Sequence, residues 1–385
     1  MPIPLLFLIA DTGGGHRAGA NAVARRLELD RPGEFEVHIV DPAAADSHSL
    51  LGRTAGLYGP LIQHARWVWG ALYHATNSRT AVSLLRHSAL RPLRDSLDTL
   101  LTSLHPAAVV SFHPLLNHLA AEAVHGSDNP AVPVITVITD LVDVHAGWAC
   151  RDVDAVVIPS PGGLDRCRRA GIPAQRCHQL GLPVDGSFAR PIPSDDERRV
   201  LRRRLGLAED RFTVLVCSGA DGSGGLDRRA RAIAGAGLDV GLAVICGHNE
   251  RVRRRLLGLR DAGGIPVTVL GFVDDMADWM RAADLVVTKA GPGTISEALC
   301  SGLPMLLTWY LPGQERGNLE WVVDIGAGRY VPGVRQLVDA IAELSEPGSP
   351  GLAAMRSAVA AAARPEATER IAALIAGMVA AAGER

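Results

Sequence analysis

Apolar residues along this chain fall into short unbroken runs, and nearly every run ends at a glycine-rich or polar turn. Residues 3–10, 35–40, 107–112, 132–139 and 155–159 read as buried strands in the first half. Residues 212–217, 242–246, 267–270 and 285–288 repeat the theme in the second half. Between the runs the spacing turns helical, as over 17–27, 160–170 and 295–301, the last stopping at Gly302. From Val334 the chain reads as Ala-rich helix to its end. Strands alternating with helices predict an α/β fold of two doubly wound, Rossmann-like domains facing a cleft. The Pro- and Gly-rich stretch 182–193 reads as the linker, and the charged run 198–204 after it as a solvated helix face. The expected divisions are 1–188, 189–345 and a helical tail, 346–385, with room to pack back on the first domain.

The turns carry the candidate chemistry. Ala290-Gly291-Pro292-Gly293-Thr294 lies between a strand and a helix start. Glycine lets a ligand approach the backbone, and the first helical N–H groups point outward unpaired, so this is a place for a phosphate or diphosphate. Glu297, about one turn on, suits ribose hydroxyls better than the phosphates, which would repel it. Gln314, Glu315 and Asn318 crowd a loop bounded by Pro312-Gly313 and Gly317, which suits a polyhydroxylated ligand. A second strand–glycine turn–helix unit, Asp11-Thr12-Gly13-Gly14-Gly15-His16, places a histidine at a helix start. Histidine is the side chain best suited to accept a proton near neutral pH, though a structural cap of the turn is the plain alternative. A third glycine-rich turn spans 218–225, and Gly247-His248-Asn249 and Gly271-Phe272-Val273 end two further strands. His113, Asp140, His145 and Trp148 follow strand ends in the first half, where Asp140 could orient a histidine or merely cap a turn. Asp152-Val153-Asp154 has the DxD form that binds metal in some sugar transferases, but it precedes a strand instead of following one.

Composition narrows the picture. The 385 residues are 48% hydrophobic and 21% charged, with net charge −2, so nothing calls for nucleic acid. Only one of the 39 basic residues is a lysine, Lys289, and it lies beside the phosphate turn. The six cysteines form no CxxC pair and no Cys/His metal spacing, which reads as free thiols in a reducing cytoplasm. The apolar start lacks a basic leader and runs into a glycine turn, so it reads as a first strand, and no run approaches a membrane span. Aromatics make up 4% of the chain, yet Tyr58, Trp67, Trp69 and Tyr73 fall within residues 50–90 among several arginines. That window fits either a membrane-facing segment or a packed helical pair with tryptophans in its core.

In order, DTGGGHRAGA, SFHPLLNHL, VITDLVDVHAGW, GLPV, GFVDDMADWM, KAGPGTISEAL and GQERGN resemble the monogalactosyldiacylglycerol synthase type of glycosyltransferase. That type is related to the processive diacylglycerol glucosyltransferases and, more distantly, to the muramoyl-pentapeptide N-acetylglucosaminyltransferase. The resemblance spans roughly residues 5–330. It implies a GT-B fold and inverting transfer of a hexose from UDP-glucose or UDP-galactose, without a metal or other cofactor. The acceptor it implies is a glycerolipid such as diacylglycerol. A soluble small-molecule acceptor is the alternative, and a UDP-sugar 2-epimerase on the same architecture a more remote one. The expected location is cytoplasmic, with a peripheral position on the inner face of the membrane left open. By the same resemblance His16 is the candidate base with Asp140 orienting it, Glu297 binds the ribose, Gln314 and Glu315 contact the sugar, Gly291, Pro292, Gly293 and Thr294 hold the diphosphate, and Phe272 lies where the base sits. Gly15, Ser218, Gly219, Gly247, Asn249, Gly271, Val273, Lys289 and Asn318 complete the donor side. His113, His145 and Trp148 would face the acceptor, and Trp67 and Trp69 the membrane. The turn 219–225 departs from the family spacing and carries its own Asp221.

Overall fold

The computed structural model describes residues 1–10, 14–43, 66–88, 90–220, 222, 224–261 and 264–384. It divides into two compact units: Met1–Gly186 with Pro312–Gln314 and Glu366–Arg385, and Ser187–Leu311 with Glu315–Pro365.

The first unit is built on a parallel six-stranded sheet in the order β2-β1-β3-β4-β5-β6. Its strands are β1 (Ile3–Leu8), β2 (Phe35–Val40), β3 (Ala108–Ser111), β4 (Val134–Val137), β5 (Ala155–Ile158) and β6 (Cys177–Gln179). The unbroken apolar runs have a simple cause: both faces of this sheet are covered. Leu6 and Leu8 of β1 enter one core, while Leu5 and Phe7 enter the other. A strand whose alternate side chains are all buried shows no polar alternation. The helix Ala367–Gly383 covers the second of these faces, burying Ile371, Ile375 and Val379 at helical spacing. Its Thr368 hydroxyl donates to the Val184 carbonyl at 2.7 Å and accepts from the Val184 N–H at 3.0 Å.

The second unit repeats the plan with the order β12-β11-β10-β7-β8-β9. The strands are β7 (Phe212–Cys217), β8 (Val240–Ile245), β9 (Val267–Leu270), β10 (Leu285–Thr288), β11 (Met305–Leu307) and β12 (Gly328–Tyr330), all parallel. The helix Pro350–Ala362 packs within this unit against Pro292–Cys300.

Three details differ from the pattern. The edge strands β6 and β12 were not legible, because CHQ and GRY form no apolar run. The first helix begins at Gly14 and the donor-side helix at Pro292, so residues read as turns form first helical turns. The run 198–204 is not wholly a solvated face. Arg202 is 6% exposed and pairs with the buried Asp284 at 2.5 Å, which Arg198 and Arg356 also contact. Among the described residues no helix is long and apolar enough to cross a membrane.

Candidate active site

Each sheet reverses strand order once, and parallel sheets bind ligands outside the carboxyl ends of the strands that flank such a reversal. In the first unit the reversal lies between β1 and β3, in the second between β7 and β10. The segments after these four strands carry His16, His113, the turn starting at Ser218, and Lys289 to Thr294. Strand order thus selects two loci from the many glycine turns of the sequence.

In the first unit His16 sits in the first turn of the helix Gly14–Asp30, next to the exposed Gly15. Its Nδ1 lies 2.8 Å from the Thr139 hydroxyl, and its ring meets His113 edge-on at 5.0 Å. Thr139, just beyond β4, is therefore the side chain that orients this histidine, in place of the expected Asp140. Asp140 is otherwise occupied: one oxygen accepts the Trp148 indole N–H at 2.7 Å, the other the Gln314 amide at 3.1 Å. Burial pushes the Asp140 carboxyl up from its usual range, against those hydrogen bonds. Gln314 belongs to the first unit by its contacts, and its Oε1 is buried with no hydrogen-bond partner among the described residues. With its amide held by Asp140, that oxygen keeps its capacity to accept a hydrogen bond.

His113 is 5% exposed, and its Nδ1 accepts from the Leu115 N–H at 3.4 Å. Desolvation, then His16 and His145, push it well below the ordinary histidine range. His145 caps the short turn Ala146–Trp148: its Nδ1 accepts from the Gly147 N–H at 3.0 Å, and its Nε2 lies 3.2 Å from the Thr76 hydroxyl. Both ring nitrogens are used internally, so His145 braces the loop instead of facing an acceptor. Trp148 is 0% exposed and is a core residue, which corrects the expectation that it faces acceptor or membrane. Trp67 and Trp69 lie on the helix Arg66–Thr76, but their side chains are outside the described residues, as are Tyr58 and Asp11 to Gly13. Tyr73 of that helix is 6% exposed and donates to the Asp143 carbonyl at 2.7 Å, a packed aromatic. Asp154 of the DxD sequence is spent on the Val134 N–H at 2.8 Å, a sheet contact.

In the second unit Gly291 precedes the helix Pro292–Cys300 without any side-chain cap, leaving the N–H groups at Gly293 and Thr294 available. Glu297 lies one turn in and is half-buried. The turn 219–225 and the residues after β8 are knitted together. The His248 N–H donates to the Ala220 carbonyl at 2.7 Å, and the Asn249 amide to the Gly222 carbonyl at 3.2 Å. Gly247 has φ +56°, and a Cβ there would lie 2.0 Å from the Ala220 oxygen, so no other residue fits. Asp221 lies outside the described residues. Asn249 also caps the helix Glu250–Leu256, accepting from the Val252 N–H at 3.0 Å. Ser218 is 5% exposed and its hydroxyl has no hydrogen-bond partner among the described residues. A cavity of about 10 Å³ beside it has room for one water at most. After β9, between Gly271 and Val273, Phe272 is 53% exposed and stacked flat on His248, centroids 4.3 Å apart. That stack is an exposed flat surface of the kind a nucleobase covers. Lys289 pairs with Glu315, whose second oxygen accepts from the Leu311 N–H at 2.9 Å. Asn318, 1% exposed, donates to the Ala290 carbonyl at 3.1 Å. Glu315 and Asn318 therefore brace the glycine turn from beneath.

Sequence reasoning did not single out Thr139, His248 (named only as part of a strand-ending turn) or Trp309. The available signal for the first two was position alone, immediately after a strand's carboxyl end. Trp309 had none, since its closeness to Gly224 and Lys289 exists only in the fold.

Comparison with known proteins bears on the family and the fold. The monogalactosyldiacylglycerol (MGDG) synthase family model matches residues 16–184, and the glycosyltransferase family 28 C-terminal domain matches residues 213–371. Monogalactosyldiacylglycerol synthase 1, chloroplastic, of Arabidopsis thaliana is 32% identical over 378 residues, covering 96% of this chain and 70% of that protein. The probable synthase 2 of Oryza sativa subsp. japonica is 33% identical over 346 residues, covering 88% and 72%. Among solved structures, Acinetobacter baumannii MurG superposes with TM-score 0.62 at 19% identity, covering 98% of this chain and 100% of that one. Anabaena HepE in complex with UDP and glucose does so with TM-score 0.57 at 17% identity, covering 98% and 99%. At such identities the structures speak for the fold, which is GT-B. The chain is a glycosyltransferase and belongs to the monogalactosyldiacylglycerol synthase family.

Proposed function

We propose that this enzyme transfers a hexose from a UDP-sugar to the free hydroxyl of a glycerolipid such as diacylglycerol, inverting the anomeric centre and needing no metal. The observation that carries the donor half is the uncapped N-terminus of the helix Pro292–Cys300, set after β10 at the strand-order reversal of the second unit. A diphosphate is one of the anions that such a terminus accepts, and in this reading Glu297, one turn along, takes hydrogen bonds from a ribose. The Phe272–His248 stack supplies a face for uracil. The acceptor half rests on the relatives' names, which specify diacylglycerol.

In this reading His16 Nδ1–H donates to Thr139, leaving Nε2 with the lone pair that takes the acceptor's proton. The acceptor oxygen bonds to C1 of the sugar as the C1–O bond to the diphosphate breaks. The electron pair leaves with UDP, and its charge is received by the helix N-terminus. The enzyme works at the membrane surface as a peripheral protein, since its acceptor is held there.

A donor screen by UDP release, with and without diacylglycerol vesicles, tests this directly. Release from UDP-galactose or UDP-glucose is expected only when vesicles are present. Equal release with a water-soluble acceptor and no lipid would point to a soluble substrate, and epimer formation from donor alone would replace transfer altogether. Replacing Glu297 by Ala is expected to weaken UDP binding about tenfold through loss of charged hydrogen bonds. Calorimetry showing unchanged affinity would reject the ribose role.

A further inference from the structure

Lys289 is the only lysine in a chain that otherwise uses arginine. Its surroundings give a reason. The ammonium pairs with Glu315 and lies 5.7 Å from the centroid of the Trp309 ring. A Cβ on Gly291 would come within 3.2 Å of both Cε and Nζ, and one on Gly219 within 3.8 Å of Cε. Two glycine backbones, an indole and a carboxylate thus enclose a space that suits a compact ammonium and not a broad planar guanidinium. The register of β7 with β10 explains the enclosure. Leu285, Val286 and Val287 pair with Val214, Leu215 and Val216, so Lys289 emerges beside the turn that starts at Ser218.

The pair is nearly out of solvent: the Glu315 side chain is 4% exposed and that of Lys289 22%. Such a pair contributes little net stability, because both ions lose hydration. It also stands directly beneath the glycine turn that we assign to the diphosphate. We propose that donor binding makes this pair exchange partners. The ammonium turns to the diphosphate, and the carboxylate it leaves accepts a hydrogen bond from a sugar hydroxyl. The inference rests on the donor reading above and deepens it.

The exchange has a consequence for turnover. An intact nucleotide sugar satisfies both members of the pair. UDP alone draws Lys289 away and strands Glu315 as an unpaired carboxylate in a dry site, which is costly. The pair therefore weakens binding of the product relative to the donor and favours release of UDP after transfer.

Calorimetry with UDP, UDP-galactose and UDP-glucose on the unaltered protein, Glu315→Gln and the double variant Lys289→Gln/Glu315→Gln tests this. Glutamine at 315 retains an acceptor for the Leu311 N–H, and the double variant leaves no unpaired charge, so each is expected to fold, which thermal melting verifies. Glu315→Gln should bind UDP about tenfold tighter or more, because no carboxylate is stranded, and should bind the preferred UDP-sugar no better than before. The double variant should lose the gained UDP affinity. UDP affinity that is unchanged or reduced in Glu315→Gln overturns the exchange, as does equal tightening of UDP and UDP-sugar. If the unaltered protein binds none of the three nucleotides, the donor reading fails and the exchange with it.

Discussion

His16→Ala should lower turnover by roughly a hundred- to ten-thousand-fold, the usual contribution of a positioned general base. UDP affinity should persist, because the residues proposed for the nucleotide belong to the second unit. The argument rests on three features of the first unit. His16 lies in a helix's first turn at the carboxyl end of β1, beside the strand-order reversal. Its Nδ1 is held by Thr139 at 2.8 Å, which fixes the ring plane. Its neighbour His113 is pushed well below the ordinary range and has its Nδ1 committed to a backbone N–H, so it is poorly placed to accept a proton. Of the two adjacent histidines, His16 is therefore the one suited to be the base. Single-turnover rates alongside UDP calorimetry separate chemistry from binding. Turnover within a factor of about three of the unaltered enzyme would remove His16 from the base role.

Acid should weaken the first unit sharply between pH 6.5 and 4. His118 and His145 are each held at about 4 by burial, against an ordinary 6.5. Both folded values are depressed, so the stabilising contribution is complete above about 6.5 and is lost as pH falls through about 4. The geometry supplies the cause. Protonating His145 would put a hydrogen on Nδ1, which faces the Gly147 N–H at 3.0 Å. Protonating His118 would charge a buried ring whose Nε2 has no hydrogen-bond partner among the described residues. At about 1.4 kcal/mol per pH unit of displacement, each residue accounts for on the order of 3 kcal/mol at the acid end. For a domain of this size that corresponds to a fall in melting temperature of roughly 10 °C or more for the two together. Thermal melts across this range, repeated with His118→Gln and His145→Gln, check it. Each substitution should flatten the decline, since glutamine does not titrate. A melting temperature independent of pH from 6.5 to 4 would contradict the assignment.

Several elements could be read from the chain because their causes are local. The runs at 3–10 and 212–217 lack polar alternation, and a strand covered on both faces needs just that. The turn before the helix Pro292–Cys300 is marked by Gly and Pro, whose backbone preferences act within a few residues. The arginine run at 198–204 misled for the opposite reason: its charge pattern is that of a surface, but Asp284, some eighty positions away, draws Arg202 inside.

By itself the sequence determined the alternation of strands and helices, the positions of the two glycine-marked turns, and the family, since these depend on residue type and short spacing. The tertiary structure alone decided strand order, and with it which turns lie at a reversal. It also decided the partners: Thr139 for His16, Trp148 and Gln314 for Asp140, and Glu315 for Lys289. Those pairings span from 8 to 174 positions. Hydrogen-bond and Coulomb energies depend on distances of a few ångströms in space, and separation along the chain carries almost no information about that.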